Sequence, residues 1–423
     1  MTRAARDLES PLAGLDATTP VVVIDPLHVG LGIARSLGRL GIEMHGLHSN
    51  RRAPAARSRY WTTSTVWQPD NAAHEVLVER LLSLAETFAS PPLLIACDDA
   101  SCLFVADAVD ELRKGFVFPA QPAGLSRSLS DKREMYLLCK RLRTPTPESV
   151  FPASRAEVEE FARDATMPVM LKGIDTLAVR RRTGASMVIA RTPEELLQYY
   201  DAMETPDSPS LMIQEYIPGG PESVWMFNGY FDGSSECLFG FTGQKLRQYP
   251  AYTGATSLGI CARNDDVAEL TVGLMKAVGY RGILDIGWRY DARDGTYNLL
   301  DVNPRIGATF RLFVDSSGLD VARALYLDLT GQEVPATSYP EGRKWLVENF
   351  DCVSSMRYYR DGNLKVRDWL RSFRGVEERA WWASDDRAPF WAMCRQSLAY
   401  LVGGRSKRDR GVAGEPALIG NDV

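Results

Sequence analysis

The sequence lacks paired cysteines. It contains seven cysteines in 423 residues, and Cys97 and Cys102 are the closest two. No second pair completes the spacing of a zinc site, and scattered cysteines are typical of cytosolic proteins, in which thiols stay reduced. The sequence therefore predicts neither a zinc centre nor a disulfide-bonded secreted protein.

The sequence also lacks a strong excess of one charge and any long apolar run. Charged residues make up 24% of the chain and the formal net charge is −5, which favours neither nucleic-acid binding nor an acidic-tail function. No run approaches the ~20 apolar residues of a membrane span. The N-terminal segment carries Asp7 and Glu9 in place of the apolar region of a signal peptide. We expect a cytoplasmic protein with no transmembrane segment and no nucleic-acid partner.

The first feature that is present is an alternation of strand and helix patterns. The runs VVVI at 21–24 and PLLIACDD at 92–99 suit strands buried on both faces, and residues 31–40 have helical spacing. Such alternation predicts a parallel sheet with helices on both faces. We therefore expect an α/β, Rossmann-like domain over residues 19–125.

A glycine-bearing turn in this domain raises the hypothesis of dinucleotide binding. Gly30 and Gly32 supply two of the three glycines of that motif, but Arg35 stands where the third should be. The segment 46–50, at the end of the second strand, offers no acid for a ribose. NAD binding is therefore disfavoured, and the alternative is a helix N-terminus that receives an anionic group of a substrate.

From Ser130 onward the pattern becomes that of an α+β unit. Strand candidates such as PVMLKGI, which places Lys172 among apolar residues, alternate with helices. Thr192 and Pro193 suit the N-cap and the first position of one such helix. We expect this second domain to cover residues 126–335.

The C-terminal part has a different composition. Residues 336–402 are rich in tryptophan and arginine, and we expect the tail 403–423 to be disordered. The stretch 381–402 is amphipathic, which suits either a helix packed against the body of the protein or one that docks on a membrane surface or a partner. Packing against the body is the preferred interpretation.

The segment YNLLDVNPRIG, residues 297–307, combines three polar groups at the end of a strand pattern. Alternate residues of a strand share a face, so Asp301, Asn303 and Arg305 would project together. A buried charge requires a partner or a metal ion. The pattern indicates either a metal with a phosphate beside it or an Asp–Arg pair at the surface.

Several motifs in order resemble those of the ATP-grasp superfamily. These are Lys132, Lys172, the segment QEYIPGG at 214–220, Asp285 and the DVNPR motif. Within this superfamily, the amino-acid sequence is most similar to the carboxylate–amine ligase branch that includes D-aspartate ligase. The segments that carry this similarity are SDKREMYLLCKRL, GQKLRQYP and YRGILDIGWRYDARDGTYNLLDVNPR. The resemblance covers about residues 19–335 and implies a Rossmann-like N-terminal domain followed by an ATP-grasp fold.

The resemblance implies a set of ATP-binding residues. Two lysines on separate elements would neutralise phosphates as point charges, although each taken singly suits a solvated surface lysine. The hinge after a strand would contact adenine through its backbone, and Glu222 would take the ribose hydroxyls or be an exposed loop acid. The implied residues are Lys132, Lys172, Gly184, Ser186, Gln214, Glu215, Tyr216, Ile217 and Glu222.

The loop that would cover the phosphates departs from the family pattern. The stretch RRRTGASM contains only Gly184, followed by Ala185 and Ser186, where the family often has a longer glycine-rich segment. Small residues still allow a close backbone approach, and the arginines at 180–182 add positive charge. The sequence leaves open whether this loop closes over the phosphates.

A magnesium site is implied by Asp285, Asp301 and Asn303. Asp285 interrupts an apolar strand pattern, and the turn dipeptide Asp294-Gly295 would return the chain beside it. Oxygen ligands of this kind suit Mg²⁺, with Mn²⁺ as a substitute. The family usually has glutamate at the two acidic positions, so the shorter aspartates require a slight shift of metal or strand.

Catalytic roles are implied for Arg305, Arg247 and Lys245. The planar guanidinium fork suits the transferred phosphoryl group and the substrate carboxylate. Lys245, two residues before Arg247, would face the same way along a strand. The alternative for KLRQYP is a basic edge strand, and Arg311 is a further candidate of the same kind.

Together these features predict an ATP-dependent carboxylate–amine ligase that works through an acyl phosphate. The substrates would be a small-molecule acid and an amine, with amino acids expected and D-aspartate suggested by analogy alone. All four histidines precede residue 75, which disfavours a phosphohistidine intermediate. The alternatives are an ATP-grasp carboxylase, a small-molecule kinase and a non-catalytic nucleotide-binding protein. The sequence is compatible with a homo-oligomer.

Overall fold

The computed structural model of the chain describes residues 14–24, 28–50, 52–69, 72–174, 179, 182–184, 187–205 and 209–403. The expected disordered tail falls almost entirely outside these ranges. The helices within them are α1 (His28–Gly38), α2 (His74–Ala85), α3 (Asp99–Asp107), α4 (Val109–Leu112), α5 (Leu125–Ser130), α6 (Lys132–Leu142), α7 (Arg155–Asp164), α8 (Pro193–Met203), α9 (Asp265–Val278), α10 (Val321–Leu329), α11 (Glu348–Arg360), α12 (Val366–Ser372) and α13 (Ala388–Gly403).

The strands form three sheets. They are β1 (Val21–Ile24), β2 (Met44–His48), β3 (Thr63–Val66), β4 (Leu93–Ala96), β5 (Ser149–Val150), β6 (Val169–Gly173), β7 (Met187–Ala190), β8 (Leu211–Glu215), β9 (Val224–Phe231), β10 (Cys237–Tyr249), β11 (Ala255–Cys261), β12 (Gly282–Asp291), β13 (Thr296–Asn303), β14 (Lys344–Leu346) and β15 (Val376–Arg379). The sheet orders are β3-β2-β1-β4, β5-β8-β6-β7 and β13-β12-β9-β10-β11-β14-β15.

The N-terminal sheet is parallel throughout, which confirms the Rossmann-like prediction. All four residues of β1 are buried, as expected for a strand covered on both faces. The glycines of the predicted turn, however, lie inside α1. A Cβ atom on Gly32 would come within 2.8 Å of the Phe310 ring, so this glycine allows close packing against the loop after β13. Packing accounts for Gly32 without a dinucleotide.

The middle sheet is antiparallel and has its own small core. Helices α7 and α8 pack their apolar residues, including Val158 and Leu196, against Leu171 and Ile213 of the sheet. The side chain of Thr192 accepts a hydrogen bond from the Glu195 backbone N–H and caps α8, as the sequence predicts. This sheet positions Lys172 on β6 and the hinge segment after β8.

The large sheet has two differently covered faces. One face packs against α6 and α9 around residues such as Trp288, Phe227 and Met275. The other contributes Met226 and Phe241 to a core shared with α1 and α10. The polar residues of the candidate site lie on this second face, toward the end of the sheet at which β13 finishes.

The C-terminal extension is continuous with the large sheet rather than separate from it. β14 pairs with β11, and β15 pairs with β14. Trp381 and Met393 join the core that contains α1, so this segment packs against the body, as preferred from the sequence. None of the helices in the described ranges combines the length and the apolar character that a membrane crossing requires.

Arg35 anchors this extension to the N-terminal sheet unit. Its guanidinium forms a buried ion pair of 3.0 Å with Asp386 and donates to the carbonyls of Ala380 and Trp381. The arginine that breaks the dinucleotide motif is therefore a structural link between distant parts of the chain.

Candidate nucleotide and metal site

Two carboxylates and two amides meet on one face of the large sheet. Asp285 of β12 lies directly opposite Asn303 of β13, and Asp301 lies opposite Gly287 on the same face. The Asn303 Nδ2 atom is 3.4 Å from Asp285 Oδ2 and 3.3 Å from Asp301 Oδ2. The structure thus brings together the three residues that the hairpin pattern predicts.

Asn228 is a fourth member of this group that sequence reasoning missed. It lies on β9 directly opposite Asp285, on the side away from Asn303. Its Nδ2 atom is 3.5 Å from Asp285 Oδ1, and its own Oδ1 atom is buried without a hydrogen-bond partner in the part of the chain that the structure describes. The one available signal was an asparagine in the middle of the otherwise apolar run VWMFNGYF.

Gly307 makes room for the Asp285 carboxylate. A Cβ atom at this position would lie 2.3 Å from Asp285 Cγ, so any larger residue would displace the carboxylate. The loop after β13 therefore closes directly over the acidic group, and its glycine is required by close approach rather than by a turn.

The two aspartates differ in electrostatic environment. Burial raises the pKa of Asp285 by more than the positive charges of Arg305 and Lys245 lower it. The partial burial of Asp301 would also raise its pKa, but the Lys132 charge and hydrogen bond, with Lys172 and Arg305, hold this pKa below the usual value. The Asp301 carboxylate is therefore favoured in its ionised form. The ionised form of Asp285 would be favoured by an additional cation beside it.

Two lysines approach this acidic group from separate elements. Lys132, at the start of α6, forms an ion pair of 3.0 Å with Asp301. Lys172 on β6 is buried and donates to Gln214 Oε1 over 2.5 Å, and Gln214 in turn donates to Ser149. Burial, reinforced by the neighbouring charge of Lys132, lowers the pKa of Lys172 to about 7.

The hinge after β8 is organised by Arg289, which sequence reasoning also missed. Arg289 donates to the carbonyl oxygens of Ile217 at 2.8 Å and Gly219 at 2.6 Å, and its guanidinium lies 6.0 Å from the centre of the Tyr216 ring. It is four residues after Asp285 on β12, so one strand carries both a metal-site candidate and the support of the hinge.

The acids of the hinge have protein partners. Glu215 forms an ion pair of 2.5 Å with Arg293, and its backbone N–H donates to the Glu148 carbonyl. Glu222 accepts a hydrogen bond of 3.1 Å from the Gly220 backbone N–H. The Glu215 side chain therefore stabilises the hinge, and any contact between this residue and adenine would come from its backbone.

Of the three catalytic candidates, Arg305 and Lys245 lie at the site. Arg305 donates to Asn303 Oδ1 over 3.2 Å and forms an ion pair with Asp99 at the start of α3. Lys245 is close enough for Asp285 and Asp301 to affect its pKa, although burial lowers that pKa overall. Asp99 thus brings the N-terminal sheet unit to the edge of the site.

Arg247 does not share the environment of Lys245, which corrects the sequence-based expectation. The pairing of β10 with β11 is irregular on both sides of Arg247, so simple two-residue alternation does not apply there. Its guanidinium forms a buried, bidentate pair with Asp351 and also donates to Ser372. Arg311 is likewise occupied, by Asp320 and Glu378.

The structure describes only part of the loop that is predicted to cover the phosphates. Gly184 has φ +80°, a left-handed conformation that favours glycine. The guanidinium of Arg182 donates to the Met203 carbonyl, so it is directed to α8. Ser186, Arg180 and Arg181 lie outside the described residues.

The residues present fit a magnesium ion. In the described ranges no group of three or more His, Cys, Asp or Glu residues is arranged to hold a metal ion. The ligands that the protein would supply here are the carboxylates of Asp285 and Asp301 and the amide oxygen of Asn303. Mg²⁺ characteristically binds through one or two carboxylates and keeps waters and substrate phosphates as its other ligands. The half-buried Asp285 carboxylate, whose amide contacts are 3.4 and 3.5 Å long, fits a position next to such a cation.

Sequence comparison finds similarity to a D-aspartate ligase and to carbamoyl phosphate synthase large chains. The chain is 25% identical to the D-aspartate ligase of Enterococcus faecium (strain Aus0004) over 321 residues, which are 72% of this chain and 75% of that one. It is 22% identical over 215 residues to the C-terminal section of the carbamoyl phosphate synthase large chain of Methanopyrus kandleri, covering 49% of this chain and 38% of that one. No family model matches the chain.

Structural comparison finds the same fold in several solved enzymes. The L-amino acid ligase from Bacillus licheniformis has a TM-score of 0.56 at 14% identity, covering 74% of this chain and 75% of that chain. The N5-carboxyaminoimidazole ribonucleotide synthetase from Thermus thermophilus has a TM-score of 0.59 at 15% identity, covering 77% and 81%. The biotin carboxylase domain of Hydrogenobacter thermophilus 2-oxoglutarate carboxylase, solved with MgADP, ADP and bicarbonate, has a TM-score of 0.59 at 15% identity, covering 77% and 73%.

Proposed function

Because this chain is a homologue of D-aspartate ligase and has the ATP-grasp fold, we propose that it is an ATP-dependent carboxylate–amine ligase. The observation that carries the proposal is the meeting of Asp285, Asp301 and Asn303 with Lys132 at one end of the large sheet. A cluster of two acids, an amide and a lysine suits a nucleotide whose phosphates bring both negative charge and a metal ion.

ATP would bind between the middle sheet and the large sheet. Lys132 and Lys172 come from different elements and would contact its phosphates. The adenine would lie against the hinge at 215–217, which Arg289 holds in place through two carbonyl oxygens. Glu222 would contact the ribose, and Gly184 and Ser186 belong to the loop that would cover the phosphates.

Asp285, Asp301 and Asn303 would hold Mg²⁺ or Mn²⁺. A divalent cation bound there would neutralise the charge that develops on the phosphates during transfer. Asn303 Oδ1 now accepts a hydrogen bond from Arg305, so Arg305 would turn toward a phosphate or carboxylate when the amide oxygen binds the metal. The role of Asn228 would be to hold the Asp285 carboxylate from the β9 side.

The reaction would proceed in two steps. A carboxylate oxygen of the acid attacks the γ-phosphorus of ATP, the bond to the β–γ bridging oxygen breaks, and ADP leaves. The amine nitrogen then attacks the carbonyl carbon of the acyl phosphate. The bond between that carbon and the phosphate oxygen breaks, phosphate leaves, and the nitrogen loses a proton to give the amide.

Arg305 and Lys245 are the residues of this chain that would act on the transferred group. Arg305 offers a fork that matches the carboxylate or the phosphoryl oxygens. Lys245 adds positive charge near Asp285 and Asp301. Arg247 has no place in this mechanism, because Asp351 and Ser372 occupy its guanidinium.

An ATP-grasp carboxylase is a second candidate, since the solved enzymes of the same fold include a biotin carboxylase domain. In that reaction bicarbonate replaces the organic acid. A kinase and a non-catalytic nucleotide-binding protein are further alternatives. All of these share the nucleotide site, so the product distinguishes them.

The test is a phosphate-release screen with pairs of amino acids, followed by mass spectrometry. The proposal expects release of phosphate and ADP only when an acid and an amine are both present, with an amide product. Phosphate release that depends on bicarbonate would favour the carboxylase. A stable phosphorylated product would favour the kinase. We also propose a cytoplasmic location and a domain boundary at about residue 125, whereas the boundary expected at 335 does not separate two units, because β14 and β15 extend the large sheet.

A further inference from the structure

Exposed apolar side chains are concentrated on helices α11 and α12. Five large apolar side chains that are exposed in the described ranges lie between residues 353 and 370. They are Val353, Met356, Tyr359, Val366 and Leu370. The same part of the chain is basic, with six basic and two acidic residues between 353 and 374 in a chain whose formal net charge is −5. Large apolar groups in solvent beside excess positive charge require an explanation.

One face of α12 combines both features. Val366 and Leu370, about one helical turn apart, are 55% and 59% exposed. Arg367 and Arg371 of α12 lie beside them, as does Arg374 two residues beyond the end of the helix, and the five residues line one open depression. We call these five residues the α12 strip. Arg371 has a loose ion pair of 3.8 Å with Asp368, whereas Arg367 and Arg374 have no ion-pair partner among the described residues.

The opposite face of α12 is anchored, so the orientation of the strip is fixed. The Trp369 indole donates to Asp351 over 3.1 Å, and Ser372 accepts from Arg247 over 2.9 Å. The Arg247 guanidinium also lies 5.9 Å from the centre of the Phe373 ring. The apolar residues of the strip therefore face solvent because the fold turns them outward, not because α12 lacks a docking surface.

We propose that the α12 strip binds the surface of an anionic lipid bilayer. Arginine can bury its apolar stem while its guanidinium contacts lipid phosphates, and Val366 and Leu370 would enter the headgroup boundary between these arginines. A protein partner would more often insert an anchoring side chain into a pocket. The depression is open to solvent and three of its five lining residues are arginines, a lining that suits a layer of lipid phosphates better than the apolar anchor of a protein partner.

The test uses the purified full-length protein and vesicles of phosphatidylcholine with or without phosphatidylglycerol. The wild-type protein should sediment with the phosphatidylglycerol vesicles and be released by salt, since screening weakens attraction between exposed charges. Arg367→Glu with Arg371→Glu should weaken binding by at least about tenfold, because each basic residue near an anionic surface contributes to affinity. Leu370→Ser should weaken it several-fold.

The control variants make the same kinds of substitution, a double charge reversal and the loss of one exposed apolar side chain, elsewhere on the surface. Arg113→Glu with Lys114→Glu alters the net charge equally beside α4, and Val76→Ser removes an exposed apolar group from α2. Both should bind vesicles as the wild type does. The proposal is overturned if the wild type ignores phosphatidylglycerol vesicles, if the α12 variants bind normally, or if the control charge reversal has the same effect. Binding to polyglutamate but not to vesicles would also overturn it, in favour of an acidic protein partner.

Discussion

Arg247 and Asp351 form a buried, bidentate ion pair that joins strand β10 to helix α11, with Nε–Oδ1 and Nη2–Oδ2 distances of 2.6 and 3.0 Å. Asp351 also accepts hydrogen bonds from Trp369 and Ser355, so the pair is the centre of a polar network in the C-terminal extension. Since β10 also carries Lys245, the extension supports a strand of the candidate site from behind.

We predict that Arg247→Ala lowers the free energy of unfolding by about 3–5 kcal/mol, because it leaves the Asp351 carboxylate buried without its counter-ion. Chemical denaturation monitored by tryptophan fluorescence measures this change. The matched control is Arg263→Ala, which removes an exposed pair with Asp265 and should have little effect. A double-mutant cycle with Asp351→Asn should show strong coupling. If Arg247→Ala keeps wild-type stability but loses turnover, the original catalytic assignment of Arg247 would be restored.

The second prediction concerns the proposed metal ligands. Asp301→Asn and Asn303→Ala should leave the protein folded and reduce turnover by about 10²–10³, a typical loss when one group that stabilises developing charge is removed. Thermal unfolding checks the fold and phosphate release checks the rate. Asp266→Asn, an exposed change in the first turn of α9, serves as the control. Activity of either site variant within a few-fold of the wild type would remove that residue from the site.

The third prediction concerns Asn228. Asn228→Ala removes the amide that holds Asp285 from the β9 side, and loss of such an indirect support typically costs about 10–100-fold in metal affinity or activity. We expect the Mg²⁺ concentration for half-maximal ADP binding, measured by calorimetry, to rise about tenfold or more. Asn228→Asp, which keeps the shape but adds charge, should change metal preference as well. An unchanged metal requirement in Asn228→Ala would show that this residue only fills the core.

The site shows which relationships a sequence can reveal. Asp301 and Asn303 are two residues apart on one strand, and a short turn links them to Asp285, so local rules place all three together. Asn228 was missed because its register against Asp285 depends on the pairing of strands that are far apart in the chain. Neither strand pattern contains that register.

The expectation that Arg247 faces the same way as Lys245 was wrong for a similar physical reason. A β-bulge has no reliable local sequence pattern, and it breaks the alternation on which the comparison with Lys245 depended. The partner of Arg247 lies on a helix more than a hundred residues later. The glycines of α1 were predicted to form a turn for the same kind of reason. Gly32 is instead required by close packing against the Phe310 ring, which is far away in the sequence.

The fourth prediction follows from the pKa of Lys172, which burial lowers from 10.5 to about 7. At a pH between about 7 and 10.5, this lysine is protonated in the unfolded chain and largely deprotonated in the folded chain. The contribution of Lys172 to the free energy of unfolding should therefore increase as pH rises from about 7 toward 10.5. Subtracting the pH profile of Lys172→Met from that of the wild type isolates this contribution.

ATP should reverse this shift, because phosphates favour the charged lysine. We expect proton uptake when ATP binds at pH 8, detected by calorimetry in buffers of different ionisation enthalpy. The uptake should disappear in Lys172→Met and persist in Lys140→Met, which removes an exposed lysine on α6. Equal proton uptake in Lys172→Met and the wild type would place the phosphates away from Lys172.

The last prediction tests the acyl phosphate and the loop that contains Gly184. An acyl phosphate must be shielded from water until the amine arrives. With ATP, magnesium and the correct acid but no amine, hydroxylamine should therefore intercept it as a hydroxamate.

Gly184 has φ +80°, which proline cannot adopt. Gly184→Pro should thus reduce hydroxamate formation more than it reduces ATP affinity, whereas Gly331→Pro, a change at a left-handed glycine after α10, should lower stability without this selective effect. Because hydroxylamine also intercepts an acyl adenylate, the nucleotide product separates the two routes: hydroxamate formed with AMP and pyrophosphate instead of ADP and phosphate would replace the acyl phosphate by an adenylate.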